Sequence, residues 1–247
     1  ISEGSLSPTI KWKTLANQEF YLPPRKLQKE MLEVFEQVEE NLFQIDELLK
    51  KTNFLLRKIR LKSICNDEYK KKNLGEIAIF KGGSGFKPKY QGRKQGEIPF
   101  IKVADMNHEE NCKYIIKSDN WINIEEKKLM KATEFPSGSV VFAKVGAALL
   151  LNRRRILKRP TIIDNNMMVA IPSSEISSDY LYHFLNTINF ATFVRQGAVP
   201  SVNQSDLAAI KINLPEKDKQ ESISNALNSF ERLISFLVHF LTGTGII

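Results

Sequence analysis

What constrains this chain most is an apolar rhythm between Arg25 and Ile64. Met31, Phe35, Val38, Leu42, Ile45, Leu49, Leu56 and Ile59 recur in alternating steps of four and three, interrupted only at Thr52. That is the a/d seam of a coiled coil, and it predicts one long, straight helix. At a rise of about 1.5 Å per residue the helix spans roughly 60 Å, more than a compact domain encloses, so it needs a second helix along its side. Residues Gln220 to Leu241 offer one: Ile223, Leu227, Phe230, Ile234, Leu237 and Leu241 keep the same rhythm, and Gly243 suits the position just past a helix end. Because the second helix is shorter, a/d residues near the start of the first lack a mate, and an uncovered apolar stripe favours self-association.

The two helices share a lead-in. Leu22-Pro23-Pro24 precedes the first and Leu214-Pro215 the second, and Gln28 and Gln220 follow at equal distance. The same offset of 192 residues, Gln28 to Gln220, aligns Thr9-Ile10 with Ser201-Val202, Leu15 with Leu207 and Phe20 with Ile212. So large a period reads as a duplicated module rather than a solenoid. Four segments follow: 1–24 as the closing edge of a preceding domain, 25–66 as the long helix, 67–213 as a mixed α/β body and 214–242 as the second helix. The fold class is α+β, with the body flanked by two long helices in an antiparallel coiled coil.

The body reads as short strands and turns. Strands are expected over 74–80, 98–103, 139–144, 155–157, 162–171 and 210–214, with a further short one at Phe20 to Leu22. A helix is expected over 178–194, loops at 81–86 and 197–204, and a solvated hinge at Lys70-Lys71-Lys72.

Composition narrows the partners. The 247 residues are 42% hydrophobic and 26% charged, enough for a real core, and the formal net charge of +8 favours a polyanion. No apolar run reaches the roughly 20 residues of a membrane span, and Ile1-Ser2-Glu3-Gly4-Ser5 is unlike a signal peptide. Cys65 and Cys112 have neither disulfide nor zinc spacing, which fits a reducing cytoplasm. A start at Ile1 rather than Met is read as the start of a fragment.

Enzyme signatures are missing. The Gly82 to Phe86 loop has neither the Gly-Lys-Ser/Thr ending of a P-loop nor a dinucleotide fingerprint, and Asp164-Asn165-Asn166-Met167 lacks the prolines and aromatic of an amino-methyltransferase corner. His108, His183 and His239 form no metal or serine-hydrolase motif, so no catalytic residue and no metal ligand is assigned. The better signal is for binding. Lys144-Val145-Gly146 leads to Asn152-Arg153-Arg154-Arg155; Lys87, Lys89, Arg93, Lys94 and Lys102 add charge, and Asn107, Ser201, Asn203 and Gln204 add polar groups on loops. Arg can fork onto guanine or phosphate, and Asn or Gln onto adenine. The DNA-contact set is therefore Lys87, Arg93, Lys102, Asn107, Lys144, Asn152, Arg153, Arg154, Arg155, Ser201, Asn203 and Gln204.

Four stretches together, Ile98 to Asn107, Ser139 to Ala148, Leu151 to Arg155 and Gly197 to Gln204, set between two matched Leu-Pro-led helices, resemble the specificity (S) subunit of type I restriction-modification systems. Nearly the whole chain takes part, and the likeness is to a C-terminal half: one target recognition domain with its conserved spacer helices. The resemblance implies a non-catalytic subunit that reads half of a bipartite site in double-stranded DNA. It implies docking of methyltransferase subunits, which bind S-adenosylmethionine, and of an ATP-driven restriction subunit, with no cofactor on the chain itself. A half-subunit would dimerise to restore two reading heads. The competing readings are a coiled-coil scaffold whose α/β body binds protein, and a stand-alone methyltransferase or nuclease.

Overall fold

A computed structural model describes residues 2–3, 9–193 and 199–242. The chain opens with β1 (Ser2–Glu3), β2 (Thr9–Ile10) and α1 (Trp12–Ala16), and then enters α2, one unbroken helix from Arg25 to Ile64. The body follows as β3 (Lys70–Asn73), α3 (Leu74–Ile77), β4 (Ala78–Gly82), β5 (Ile98–Ile101), β6 (Tyr114–Ile115), β7 (Trp121–Ile122), α4 (Ile124–Met130), β8 (Glu134–Phe135) and β9 (Val140–Ala143). It continues through α5 (Ala147–Leu150), β10 (Arg154–Leu157), β11 (Thr161–Ile163), β12 (Met167–Pro172), α6 (Ser178–Leu185), α7 (Gln204–Ala208) and β13 (Lys211–Leu214) to the closing helix α8 (Lys217–Thr242). Among the described residues no helix is long and apolar enough to cross a membrane.

Helices α2 and α8 pair antiparallel. Ile64 shares a core cluster with Ile223 and Leu227, Arg60 forms an ion pair with Glu231 at 2.8 Å, and Asn53 and Leu56 line one cavity with Ile234 and Val238. The seam is covered only where α8 reaches it. Leu56 is buried, Ile45, Leu49 and Ile59 are half-buried, and on α8 Ile223, Leu227 and Leu237 are buried with Phe230 and Ile234 half-buried. Thr52, the break in the rhythm, is itself buried, its hydroxyl donating to Leu48 O at 2.8 Å. Met31, Phe35, Val38 and Leu42 stay exposed, Phe35 by 57%.

The body is layered. A five-stranded sheet runs β4-β12-β9-β10-β6 and a four-stranded sheet β7-β5-β11-β8. Strand alternation sorts the side chains into layers. Val140, Phe142, Met168 and Ala170 face α6 and the helix pair, while Val141, Met167 and Val169 face Ile101, Ile163 and Phe135 of the second sheet. On that sheet's far side Phe100 and Ile162 pack with Tyr90 and Ile122. Burial on both faces explains why these strands read as continuous apolar runs rather than alternating ones.

Several elements differ from the sequence reading. Lys70–Asn73 is a strand, not a hinge: it pairs antiparallel with Lys211–Leu214, and Lys72 meets Glu175. The 162–171 segment is two strands in different sheets, broken where Asn166 N–H donates to Asp164 Oδ1 at 2.7 Å. The helix begun at Ser178 ends at Leu185, the 74–77 segment is a helical turn, and Phe20 to Leu22 carries no strand and is exposed. Gly197 and Ala198 of the expected loop lie outside the described residues.

The internal repeat is structural as well as textual. At the same offset α1 matches α7 end for end, α2 and α8 begin at Arg25 and Lys217, and each Gln reaches back to a proline carbonyl: Gln28 Nε2 to Pro23 O at 2.6 Å and Gln220 Nε2 to Pro215 O at 2.9 Å. The amide thereby satisfies a carbonyl at the chain's turn into the helix.

Candidate nucleic-acid interface

Strand register gathers the candidate loops. Parallel β5 and β11 finish side by side, Ile101 opposite Ile163, while Ala143 at the end of β9 and Gly82 at the end of β4 lie opposite Met167 and Met168 at the start of β12. The segments 82–85, 102–107, 144–153, 164–166 and 199–203 therefore emerge at one end of the body. Backbone bonds bind them to each other: Ser84 N–H to Ile163 O (2.9 Å), Lys144 N–H to Asn166 O (2.9 Å), Gly146 N–H to Pro200 O (2.8 Å) and Val202 N–H to Lys144 O (3.0 Å). Gly83 permits the closest approach, since a Cβ there would stand 2.1 Å from Asp164 O.

At the opposite end of the same strands, Ala78 pairs with Pro172, Ser173 N–H donates to Ile77 O, and Gln220 of α8 accepts from Ser177 N–H at 2.9 Å. From that root α8 runs along the flank until His239 lines a cleft with Asn107, His108, Glu109 and Glu110.

The twelve expected contact residues separate into two groups. Lys87 and Arg153 are exposed, as is Asn107, whose carboxamide takes a hydrogen bond from Arg153. Lys144 and Lys102 are half-buried, Lys102 with its ammonium on Gln91 Oε1 at 3.0 Å. Arg93 is exposed but forked onto Glu126 at 2.9 and 2.8 Å, and Ser201 sits in the bridge to Val145.

The remaining residues are held by bonds within the chain, Gln204 while still exposed. Arg154 is 1% exposed: its guanidinium lies 3.9 Å from the centre of the Phe190 ring and donates to Ile188 O at 2.7 Å and to Asn152 O. Strand alternation puts it on the face of Ile156, so it serves the core and not the surface. Burial lowers its pKa to about 9. Arg155 donates to Asn111 O, to Met106 O at 3.2 Å and to Arg154 O at 2.8 Å, which fastens the 103–111 turns to β10; burial lowers its pKa as well. Asn152, at φ +55°, bridges Ile188 O (3.1 Å) and Phe190 N–H (3.0 Å). Asn203 donates to Asp206 at 3.2 Å, and the Gln204 carboxamide is placed to donate to Phe80 O (3.1 Å) and accept from Gly82 N–H (3.3 Å), extending the edge of β4.

Two polar clusters had no sequence signal. Asp105, His108 and Asp119 meet beside the loop end, where burial raises the Asp105 pKa. Where α6 meets α8, His183 is enclosed against Asn228 (2.8 Å), and Lys113 engages Asp179 and Asn228. The second joins segments far apart in the chain, while the first lies within 105–119 and depends on that segment folding back on itself.

The chain is similar to known proteins over most of its length. The profile of the type I restriction modification DNA specificity domain matches residues 66–238. A type I restriction enzyme EcoR124I/EcoR124II specificity subunit from Escherichia coli is 26% identical over 200 residues, 78% of this chain and 48% of that protein. The chain thus spans about half the length of that curated relative. Among solved structures, the HsdS subunit from Thermoanaerobacter tengcongensis superposes with a TM-score of 0.62 at 16% identity, over 95% of this chain and 58% of that one. A chain from a study of complex assembly and conformational transition of the type I R-M system gives 0.71 at 15%, over 98% and 60%. The M. genitalium S subunit gives 0.60 at 14%, over 98% and 64%. At these identities the structural likenesses establish the fold.

Proposed function

This chain belongs to the family of type I restriction modification DNA specificity domains, and on that premise we propose that it reads one half of a bipartite DNA site without catalysis of its own. The observation that carries this reading is the convergence of Lys102, Asn107, Lys144 and Arg153 on loops at one end of the body, with the helix pair rooted at the other. A rigid pair fixes the separation and phase of two readers, and half-sites are productive only at a fixed rotational phase.

The helices have a further role in this reading. To one side of the a/d seam, Leu32, Phe43, Phe54 and Leu61 are spaced by eleven, eleven and seven residues, which keeps them on one stripe, and all four are exposed. That stripe is the docking surface for methyltransferase subunits, which bring S-adenosylmethionine; the ATP-driven restriction subunit joins through them. Met31, Phe35, Val38 and Leu42 are covered by another helix of the same kind, in a second copy or in a longer chain. Residues 1–24 close a second body: Leu15 and Phe20 are exposed where their counterparts Leu207 and Ile212 are buried.

Selection from random duplexes, with the methyltransferase subunit supplied, tests the reading. Enrichment of one half-site motif is expected, with affinity falling as salt rises by a log–log slope of about −0.9 per phosphate contact. Retrieval of no motif, with the methyltransferase still captured, would favour a protein-binding scaffold.

A further inference from the structure

We propose that Asp105, His108 and Asp119 form a binding site for one divalent transition-metal ion at the loop end of the body. The inference goes beyond DNA reading and does not depend on it. His108 Nε2 lies 2.9 Å from Asp119 Oδ2 and 3.8 Å from Asp105 Oδ1, and one ligand atom from each residue falls within 4.8 Å of the others. The donors are held in place before any ion arrives. Asp105 is 1% exposed, its Oδ2 accepting from Lys102 N–H at 2.6 Å and its Oδ1 from Asp119 N–H at 2.8 Å, which points Oδ1 towards the imidazole. Asn111 ties the two chain segments together, donating to Asp105 O (2.7 Å) and Lys117 O (2.9 Å) and accepting from Lys117 N–H (3.0 Å).

Charge and access agree with this assignment. Among the described residues no Lys or Arg nitrogen comes within salt-bridge distance of the Asp105 carboxylate, so His108 is its one charge partner. With a neutral imidazole the cluster is doubly negative, and a dication neutralises it. One side is open: His108 is half-buried and borders the cleft formed with Asn107, Glu109, Glu110, Lys117 and His239, which leaves room for water or a further carboxylate in the remaining coordination positions. One imidazole with two carboxylates suits Zn²⁺, Mn²⁺, Co²⁺ or Ni²⁺ better than Mg²⁺, which prefers oxygen alone. The alternative is a hydrogen-bonded contact between the imidazole and the two carboxylates with no ion, which the experiment distinguishes.

The test uses the full chain with Cys65→Ser and Cys112→Ser, because both thiols are exposed and would compete for soft metals. Chelator-treated protein is titrated with Co²⁺ and then Zn²⁺ at pH 7.5. Saturation at one equivalent is expected, with visible Co²⁺ bands that Zn²⁺ displaces and a thermal midpoint that rises with metal concentration. His108→Gln and Asp119→Asn, both on partly exposed side chains, should each weaken binding by about tenfold or more while leaving the chelator-treated fold intact. Absence of saturable binding, or binding that neither variant weakens, would overturn the site and leave the cluster as a hydrogen-bonded contact.

Discussion

Arg153 and Arg154 are adjacent, yet the structure gives them opposite roles, and replacing each in turn tests that assignment. Arg154→Ala removes a desolvated contact with the Phe190 ring, about 2 kcal/mol, and two hydrogen bonds from a charged donor, about 1.5 kcal/mol each at the low end. It also opens a cavity in a packed layer. Against this stands the relief of a buried charge, whose cost is visible in the pKa depressed to about 9. The net expectation is a loss of about 2–4 kcal/mol. Arg154→Met, which refills the stem but not the hydrogen bonds, should lose less; Ile188 O keeps the Asn152 side chain as donor, and Asn152 O is left unpaired by the guanidinium. Arg153→Ala, on an exposed side chain, should stay within about 0.5 kcal/mol of the parent. Urea unfolding at constant m-value supplies the free energies, and a salt series of duplex binding supplies the second readout: a slope reduced by about 0.9 for Arg153→Ala if it meets a phosphate, unchanged for the folded fraction of Arg154→Ala. Equal stability of the two alanine variants would refute the assignment.

Three further outcomes follow from other sites. His183 is enclosed near Arg60, Lys113, Asp179, Asn228 and Glu231, and burial lowers its pKa from 6.5 to about 3. The unfolded chain therefore takes up the proton first, and stability is lost as pH falls from 6.5 towards 3; between pH 7 and 5 the term is about 2 kcal/mol. Glu231, whose pKa burial raises, works with the opposite sign, so the readout is the change in stability difference between the parent and His183→Gln across that pH range, and no change would count against it. Gly83→Ala would push a Cβ into the carbonyls of Asp164 and Ile163 and should destabilise the fold by at least about 2 kcal/mol, whereas Gly85→Ala, with open space, should be tolerated; equal effects in thermal melts would be the contrary result. Leu56→Ala should cost about 3 kcal/mol in unfolding free energy, while Phe35→Ala should barely change it and instead weaken self-association in sedimentation; a stable Leu56→Ala variant would contradict the helix pairing.

The helices were legible because their signal is local: a seam repeating every three to four residues needs no knowledge of the partner. The sheets were half legible. Apolar runs marked where strands lie, but Lys70–Asn73 has no apolar rhythm and becomes a strand only because Lys211–Leu214, far along the chain, offers its edge. The loop end was legible as a set of segments and not residue by residue. Arg153, Arg154 and Arg155 are chemically identical letters, and what separates them is the start of β10 at Arg154. Alternation then turns Arg154 with Ile156 into the core and leaves Arg153 outside. Asp105, His108 and Asp119 could not be read at all, since their meeting depends on Asn111 folding the 105–119 segment back on itself.

The repeat accounts for where this chain leaves apolar surface uncovered. At the offset of 192 residues, Met31, Phe35, Val38, Leu42, Ile45 and Leu49 of α2 correspond in turn to Ile223, Leu227, Phe230, Ile234, Leu237 and Leu241 of α8. The α8 series rests on the C-terminal half of α2; the matching series on α2 has only Ile45 and Leu49 partly covered. Leu15 and Phe20 repeat the pattern one step earlier, exposed where Leu207 and Ile212 are buried. Helix α2 has 40 residues and α8 has 26, and the first seam residue of α2 to be partly covered is Ile45, so among the described residues the stretch 25–44, roughly 30 Å of rise, extends past α8. Two copies of one module, of which only the second meets its complement, leave a first copy shaped for the same kind of surface. Covering each of its large side chains would contribute on the order of 1.5–3 kcal/mol. On the proposed reading, the exposed stripe on α2 would be half of an interface whose other half has the character of residues 45–64.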